Sequence, residues 1–330
     1  MAPHTPHDDV YDIAVSPEYE TDGVVFALCR DMFLKSNDGG HTWQNIVRGL
    51  NNMWQYFTDT AQRFSLDVSA TDKRTMFFAS RGDGVYRSID EGMSWSKVHV
   101  TKSDARVSIV AISPHSADRV LAASVSEGLF ATTDGGAVWS QWLRTDAPIT
   151  AVAYAPDHDG IVAVGDESGR LHLSSDSGAT WQTTGLVEAG AIRSIALSPA
   201  FSSDQTILVG TASSGVLKSV DGGDFFMVKN VGLTDTSISS IAFSPDYGED
   251  SRAWISTWSG GVFGCDDKGE SWRPMSLGLT RNTQKYEERY AKRPHFGRIV
   301  AASGASSPEK RSLFLAGFDG EMPTCTNRLQ

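Results

Sequence analysis

Apolar residues are concentrated in short runs that recur along the whole chain. Seven runs share one signature, a stretch rich in β-branched residues that ends in a small residue, usually before a proline. A second apolar run follows each one after a short polar stretch. Runs of this length between turn residues predict β-strands. The first set covers residues 10–17, 64–70, 107–114, 149–156, 192–199, 238–245 and 298–303, and the second 24–29, 75–80, 120–124, 161–165, 206–210, 253–257 and 313–317.

An eight-residue motif with the pattern Ser/Thr-x-Asp-x-Gly-x-x-Trp separates later strand-like runs. Its six copies cover residues 36–43, 88–95, 132–139, 174–181, 219–226 and 265–272, with Cys265 and Phe226 as substitutions within the pattern. The six aspartates are 52, 44, 42, 45 and 46 residues apart. A period of about 40–50 residues indicates a repeat architecture, and a four-stranded unit of that length is typical of a propeller blade.

Each copy of the motif is predicted to form a hairpin turn. The Asp can accept hydrogen bonds from turn amides and from the Ser or Thr hydroxyl, and the Gly permits a left-handed backbone. The Trp or Phe then returns into the sheet and buries a large ring. One Asp in the same turn of every unit favours a structural role over a catalytic or metal-binding set.

The motif resembles the Asp-box, or BNR repeat, of sialidase-like β-propellers, and the resemblance covers residues 10–330. It implies an all-β, seven-bladed propeller of four-stranded antiparallel blades with Asp-box turns, in which the last blade is atypical. We expect one domain over residues 1–330. The expected blades are residues 10–50, 64–100, 107–145, 149–187, 191–233, 238–279 and 295–330.

The sequence does not determine how the propeller ring closes. Residues 324–328 occupy the place of a seventh motif but lack its Asp and Gly. Such rings commonly borrow an edge strand from the other terminus, here residues 1–9, although Pro3 and Pro6 disfavour strand pairing. The alternatives are a frayed edge at residues 324–330 or a natural chain that continues further.

Composition narrows the function classes. The net charge of −11 argues against broad binding of nucleic acid through its phosphates. No apolar run approaches the ~20 residues that span a bilayer, and no signal peptide is visible, so a cytoplasmic location is the default expectation. The three cysteines and eight histidines show neither a disulfide framework nor paired metal-ligand spacing. We expect a monomer without metal or cofactor.

A ligand site is expected on the face opposite the motif turns, where strand-two-to-three turns and links between blades emerge. Two long links border one cleft there: residues 50–63, with Trp54 and Tyr56, and residues 280–295, with Lys285 and Arg289. Turns on this face also carry Trp258 and three candidate catalytic carboxylates, Asp31, Asp83 and Asp319.

Alignment of the inner strands places two arginines at one level near the channel mouth. Because arginine forks match carboxylates and phosphates, Arg193 and Arg298 are candidate ligand-binding residues, together with Tyr11 at the same level. The full register is Tyr11, Phe64, Ser108, Thr150, Arg193, Ser239 and Arg298.

Three functions remain open. The first is a non-catalytic binding or assembly propeller for an acidic peptide or protein segment, which resembles the photosystem II assembly-factor propellers. The second is a glycoside hydrolase of sialidase-like or xyloglucanase-like type, with a carboxylate pair and a carbohydrate substrate. Two observations weigh against it: no Phe/Tyr-Arg-Ile-Pro segment, typical of sialidases, lies near the start, and xyloglucan hydrolases generally place the carboxylate pair between two propellers. The third is an enzyme of specialised metabolism with an aromatic cleft.

Overall fold

The structure, a computed structural model, describes residues 10–29, 33–46, 64–80, 84–101, 106–275, 295–302 and 312–318. Within these ranges, twenty-six strands are arranged in small antiparallel sheets. The first three sheets contain β1 (Val10–Val15), β2 (Val25–Cys29), β3 (Phe33–Ser36) and β4 (Gln44–Asn45); β5 (Phe64–Val68), β6 (Met76–Ser80), β7 (Gly84–Ser88) and β8 (Ser96–Val98); and β9 (Val107–Ser113), β10 (Ser116–Ser124), β11 (Gly128–Thr132) and β12 (Ser140–Leu143).

The remaining sheets follow the same order. They contain β13 (Ile149–Ala155), β14 (His158–Asp166), β15 (Arg170–Ser174) and β16 (Gln182–Gly185); β17 (Ile192–Leu197), β18 (Ile207–Thr211), β19 (Val216–Ser219) and β20 (Met227–Val228); β21 (Ile238–Phe243), β22 (Ala253–Thr257), β23 (Val262–Cys265) and β24 (Arg273–Pro274); and β25 (His295–Ala302) with β26 (Ser312–Phe318). Short helices are α1 (Tyr19–Asp22), α2 (Phe201–Asp204) and α3 (Tyr247–Asp250), with a 3-10 turn at Val187–Ala189.

The protein is a six-bladed all-β propeller, and the prediction of seven blades is wrong. In six sheets, four strands pair antiparallel in chain order, whereas the described part of the last unit forms only the two-stranded sheet β25–β26. This sheet packs between the sixth and first blades, where β25 contacts β21 and β1. The signature and the apolar run after it mark only the first two strands of a unit, so counting them gave one blade too many. The motif that connects the third and fourth strands occurs six times, which is the observed blade count.

The core lies between neighbouring blades rather than within one central layer. Between the first two blades, for example, Phe26 and Phe33 pack with Leu66, Phe78 and Trp95. Similar clusters fill each successive interface through the sixth blade. Because every blade is covered on both faces, second strands such as β2 and β22 are buried along their whole length.

The motif turns confirm the predicted hairpin geometry. In the first copy, the Ser36 hydroxyl donates to Asp38 Oδ1 at 2.7 Å, and the Thr42 amide donates to the same oxygen at 2.8 Å. Equivalent bonds recur in the next four copies. In the sixth, Cys265 replaces the hydroxyl donor, but the Ser271 amide still reaches Asp267. The motif glycine has a φ between 80° and 98° in all six copies, which explains why glycine stands there.

Acid should therefore weaken the fold through these turns. Burial acts to raise the pKa of Asp38, but hydrogen bonds from the Thr42 hydroxyl and amide and from Ser36 outweigh it and lower the pKa to about 2. The pKa values of the other five motif aspartates are also lowered. A depressed folded-state pKa gives stability that is complete above the unfolded value of about 4 and lost as pH falls through the folded value.

We expect the urea midpoint of unfolding to fall steeply below about pH 4. The variant Asp38→Ala should show a smaller acid-induced loss than the wild type. Asp146→Ala, at a highly exposed position outside the motif, is the matched control and should follow the wild-type curve. Parallel curves for Asp38→Ala and the wild type would contradict the role assigned to the motif carboxylate.

Candidate functional site

Backbone hydrogen bonds define the two faces of the propeller. On the motif face, each motif turn pairs with the connection between the first and second strands of its blade or with the start of the second strand, as Gly39 does with Gly23 at 2.8 Å. On the opposite face, which we call the link face, loops between second and third strands pair with the links between blades. Examples are the amide of Glu167 to the carbonyl of Pro148 and the amide of Trp258 to the carbonyl of Ser237. Inner strands start at the link face and run toward the motif face.

The predicted register near the channel mouth corresponds to a defined backbone feature. In six inner strands, pairing with the second strand is irregular at this position, for example between Ile192 and Ser194 in β17. Phe64 is the exception and pairs regularly with Ser80. An extra residue in one strand forms a β-bulge, and a side chain at the bulge no longer follows the regular alternation between the two faces of the sheet. The residues at these irregular positions are Tyr11, Ser108, Thr150, Arg193, Ser239 and Arg298.

Arg193 is an accessible cation at the link-face end of its strand. Its side chain is exposed, and it forms no ion pair or hydrogen bond with another residue in the described part of the chain. It follows buried Ile192 as the second residue of β17. A guanidinium without a protein partner can bind a carboxylate through two parallel hydrogen bonds.

Arg298 occupies the same register but is held by the protein. One guanidinium nitrogen donates to the Leu66 carbonyl at 2.8 Å and lies 3.3 Å from both oxygens of Asp12. The other terminal nitrogen lies 3.9 Å from Asp67. The charge of Asp12 raises the pKa of Arg298 against the opposing effect of burial. Arg298 thereby joins β25 to the inner strands of the first two blades.

The carboxylates of Asp12 and Asp67 also link neighbouring inner strands. Asp12 accepts a hydrogen bond from the Leu66 amide at 2.7 Å, and Asp67 accepts one from the Ile112 amide at 2.7 Å. Burial raises the pKa of both carboxyl groups, while Arg298 and these amides act to lower it. Inner strands offer unpaired amides to the channel, so a polar side chain that reaches the next strand satisfies a donor that would otherwise lack a partner. Sequence reasoning missed both residues, although an Asp within an otherwise apolar strand was a visible signal.

Trp258 and Tyr11 have different surroundings. Trp258 is 47% exposed in the loop between β22 and β23. Asp235 supports this loop by accepting hydrogen bonds from the amide and hydroxyl of Ser259, at 2.8 and 2.9 Å. Tyr11 is half-buried against the cluster between the first two blades. The structure therefore presents Trp258 on the link face and packs Tyr11 largely into the core.

Seven predicted site residues lie outside the described residues. They are the candidate catalytic Asp31, Asp83 and Asp319 and the candidate ligand-binding Trp54, Tyr56, Lys285 and Arg289. Within the described ranges, no cluster of three or more His, Cys, Asp or Glu side chains is arranged to hold a metal ion. The helices described in this structure include none with the length and apolar character needed to cross a membrane.

Comparison with known proteins shows the fold. No protein-family model matches the chain, and no curated protein sequence matches it. Solved structures match over nearly the whole chain, at low identity. An ancestral GH74 enzyme superposes with a TM-score of 0.71 and 16% identity over 95% of this chain, and the GH74 xyloglucanase from Xanthomonas campestris with 0.67 and 15% over 96%.

Two YCF48 structures are also similar. YCF48 from Cyanidioschyzon merolae gives a TM-score of 0.66 at 18% identity, and YCF48 bound to D1 peptide gives 0.64 at 14%. This chain spans 96% and 93% of those two chains and is itself covered to 97% and 96%. It spans only 44% of the ancestral GH74 enzyme and 52% of the xyloglucanase. At these identities the likeness establishes a propeller of the kind shared by both groups.

Proposed function

We propose that this chain is a non-catalytic Asp-box propeller that binds an acidic peptide or protein segment on its link face. The observation that carries the proposal is Arg193, an exposed guanidinium at the start of an inner strand with no protein partner in the described part of the chain. The protein has a net charge of −11, so an accessible cation near the channel mouth is a local departure from its overall charge. Trp258, on the neighbouring blade, offers an exposed ring on the same face.

The comparisons support this proposal through the extent of the match. The chain corresponds to almost the full length of YCF48, including the structure that is bound to a peptide, and to about half of each GH74 enzyme. The described channel also gives Asp12 and Asp67 a structural use, because both accept backbone amides of the next blade and face Arg298. Carboxylates engaged in this way are poorly placed to act as an acid and base pair.

Glycoside hydrolysis is the second candidate, favoured by the fold similarity to the GH74 enzymes. It would use two carboxylates on the link face, for which Asp31, Asp83 and Asp319 are the candidates. Such pairs need a separation of about 5–10 Å. Turnover of xyloglucan fragments or aryl-glycosides that disappears in the Asp31, Asp83 or Asp319 alanine variants would establish this function in place of the first.

Binding of acidic peptides tests the main proposal. A labelled peptide array should contain acidic sequences and their Gln and Asn counterparts, and the best binder should be measured by fluorescence anisotropy. We expect the acidic form to bind more tightly, and Arg193→Ala to weaken it by about ten- to a hundredfold, the effect of losing a charge-assisted hydrogen-bonded pair worth ~1.5–3 kcal/mol.

Arg252→Ala is the matched control because Arg252 is exposed on the motif face, between β21 and β22. It should leave the affinity unchanged. Equal weakening by the two substitutions would indicate a general charge effect and would contradict a site at Arg193. Absence of any preference for the acidic peptides would contradict the proposed ligand class.

A further inference from the structure

A separate cavity of roughly 480 Å³ opens on the link face between the second and third blades. Its walls come from the link after β8, the loop between β10 and β11, β11 itself, and β12 with the residue that follows it. They include Val100, Glu127, Phe130, Gln141 and Arg144. Ligand cavities in proteins are typically about 300–1,000 Å³, so the space suits a small molecule. Arg193 lies in the fifth blade, two blades further along the chain than the third blade, which forms one side of the cavity.

Close packing of the backbone builds one side of this cavity. Gly128 has a φ of +95°, and a Cβ at this position would lie only 2.2 Å from the Leu143 carbonyl oxygen. Any other residue would push the loop away from the end of β12. The glycine therefore keeps Glu127 next to the segment that carries Arg144.

Glu127 is held from two sides. The side-chain amide of Gln141 donates a hydrogen bond to the Glu127 carbonyl oxygen. The Thr101 hydroxyl donates to Oε1 of the Glu127 carboxylate at 3.2 Å. The first contact holds the Glu127 backbone and the second engages one carboxylate oxygen. The other carboxylate oxygen accepts no hydrogen bond from the residues described in the structure. The half-buried carboxylate can thus accept a donor from a ligand.

The opposite charge in the cavity, Arg144, has no ion-pair partner among the residues that the structure describes. Arg144 is exposed and makes no ion pair or hydrogen bond within the described ranges, and it forms no ion pair with Glu127. A cation and an anion that line one cavity without pairing can each bind the complementary end of a dipolar ligand. Half-buried Phe130 and buried Val100 supply an apolar wall of the same cavity.

We propose that this cavity binds a zwitterionic α-amino acid with an apolar side chain. Its ammonium group would donate to Glu127, its carboxylate would accept from Arg144, and its side chain would pack against Phe130. Both charged ends are then recognised by charge-assisted hydrogen bonds, which are stronger than neutral ones. This site is independent of the peptide-binding surface at Arg193.

Charge-deleted analogues test the two contacts separately. Isothermal titration calorimetry with L-leucine should show binding, and N-acetyl-leucine and leucinamide, which lack the ammonium and the carboxylate respectively, should bind at least about tenfold more weakly. In Glu127→Gln the preference for leucine over N-acetyl-leucine should be lost. In Arg144→Gln the preference for leucine over leucinamide should be lost.

Arg170→Gln provides the control, because Arg170 is a partly exposed arginine in the fourth blade that pairs with Asp146. It should bind leucine as the wild type does. Both cavity substitutions replace accessible side chains, and an unchanged melting temperature will show that the fold is intact. No heat of binding with leucine or with L-phenylalanine would overturn the proposal, and so would binding that neither cavity variant alters.

Discussion

Replacing Arg298 by methionine should destabilise the protein by about 2–3 kcal/mol. The substitution leaves Asp12, which is 5% exposed, and Asp67 without their shared counter-charge. Removing one partner of a fully buried ion pair costs ~3–5 kcal/mol, and we expect less here because the Arg298 side chain is 39% exposed and water can partly replace it. The urea midpoint of unfolding measures the loss.

The pH dependence of this stability loss tests whether it arises from the unpaired carboxylates. Burial already raises the pKa of both carboxyl groups, and removing Arg298 removes an influence that lowers it. An acid with a raised folded-state pKa destabilises the fold when ionised, and this penalty disappears as pH falls through that pKa. The difference between Arg298→Met and the wild type should therefore be smaller at about pH 5 than at about pH 7.5.

Arg193→Met is the matched control, since Arg193 has the same register and no protein partner among the described residues. It should change stability by no more than about 0.5 kcal/mol. If both substitutions destabilise the protein equally, or if the Arg298→Met loss does not depend on pH, the ion pairs do not hold β25 to the first two blades.

The strands and the alignment of the inner strands could be predicted because they depend on local pattern. Buried second strands produce continuous apolar runs. The irregular pairing recurs at the second residue of five inner strands and at Arg298, the fourth residue of β25. The motif turns are equally local, since Asp38 binds groups within four residues of itself. Such features repeat with the sequence and need no knowledge of the assembled ring.

The surroundings of Arg298 could not be predicted in the same way. It contacts Leu66 and Asp12, which are 232 and 286 residues away in the chain. These contacts depend on which blades meet at ring closure, and the sequence pattern counted seven units where the structure has six four-stranded blades. The sequence therefore predicts that Arg193 and Arg298 form one anion-binding site, whereas the structure gives the two residues different surroundings.

Replacing Trp272 by alanine should destabilise the protein by about 3–5 kcal/mol, the usual cost of truncating a buried aromatic side chain. Trp272 is the ring of the sixth motif, and it is 2% exposed within the cluster between the fifth and sixth blades. Its indole nitrogen donates a hydrogen bond to the Lys229 carbonyl at 2.8 Å, so the substitution also leaves that acceptor without its partner. The urea midpoint and the melting temperature should both fall.

Trp258→Ala, in the same blade as Trp272, should affect ligand binding without affecting stability. Trp258 is exposed on the link face, so its truncation leaves no cavity, and we expect a stability change within about 0.5 kcal/mol. Under the proposed function it should weaken the acidic peptide, because an exposed ring on the binding face supplies apolar contact area. If Trp258→Ala destabilised the protein as much as Trp272→Ala, the exposed ring would be part of the scaffold, and the link face would lose its aromatic contribution to binding.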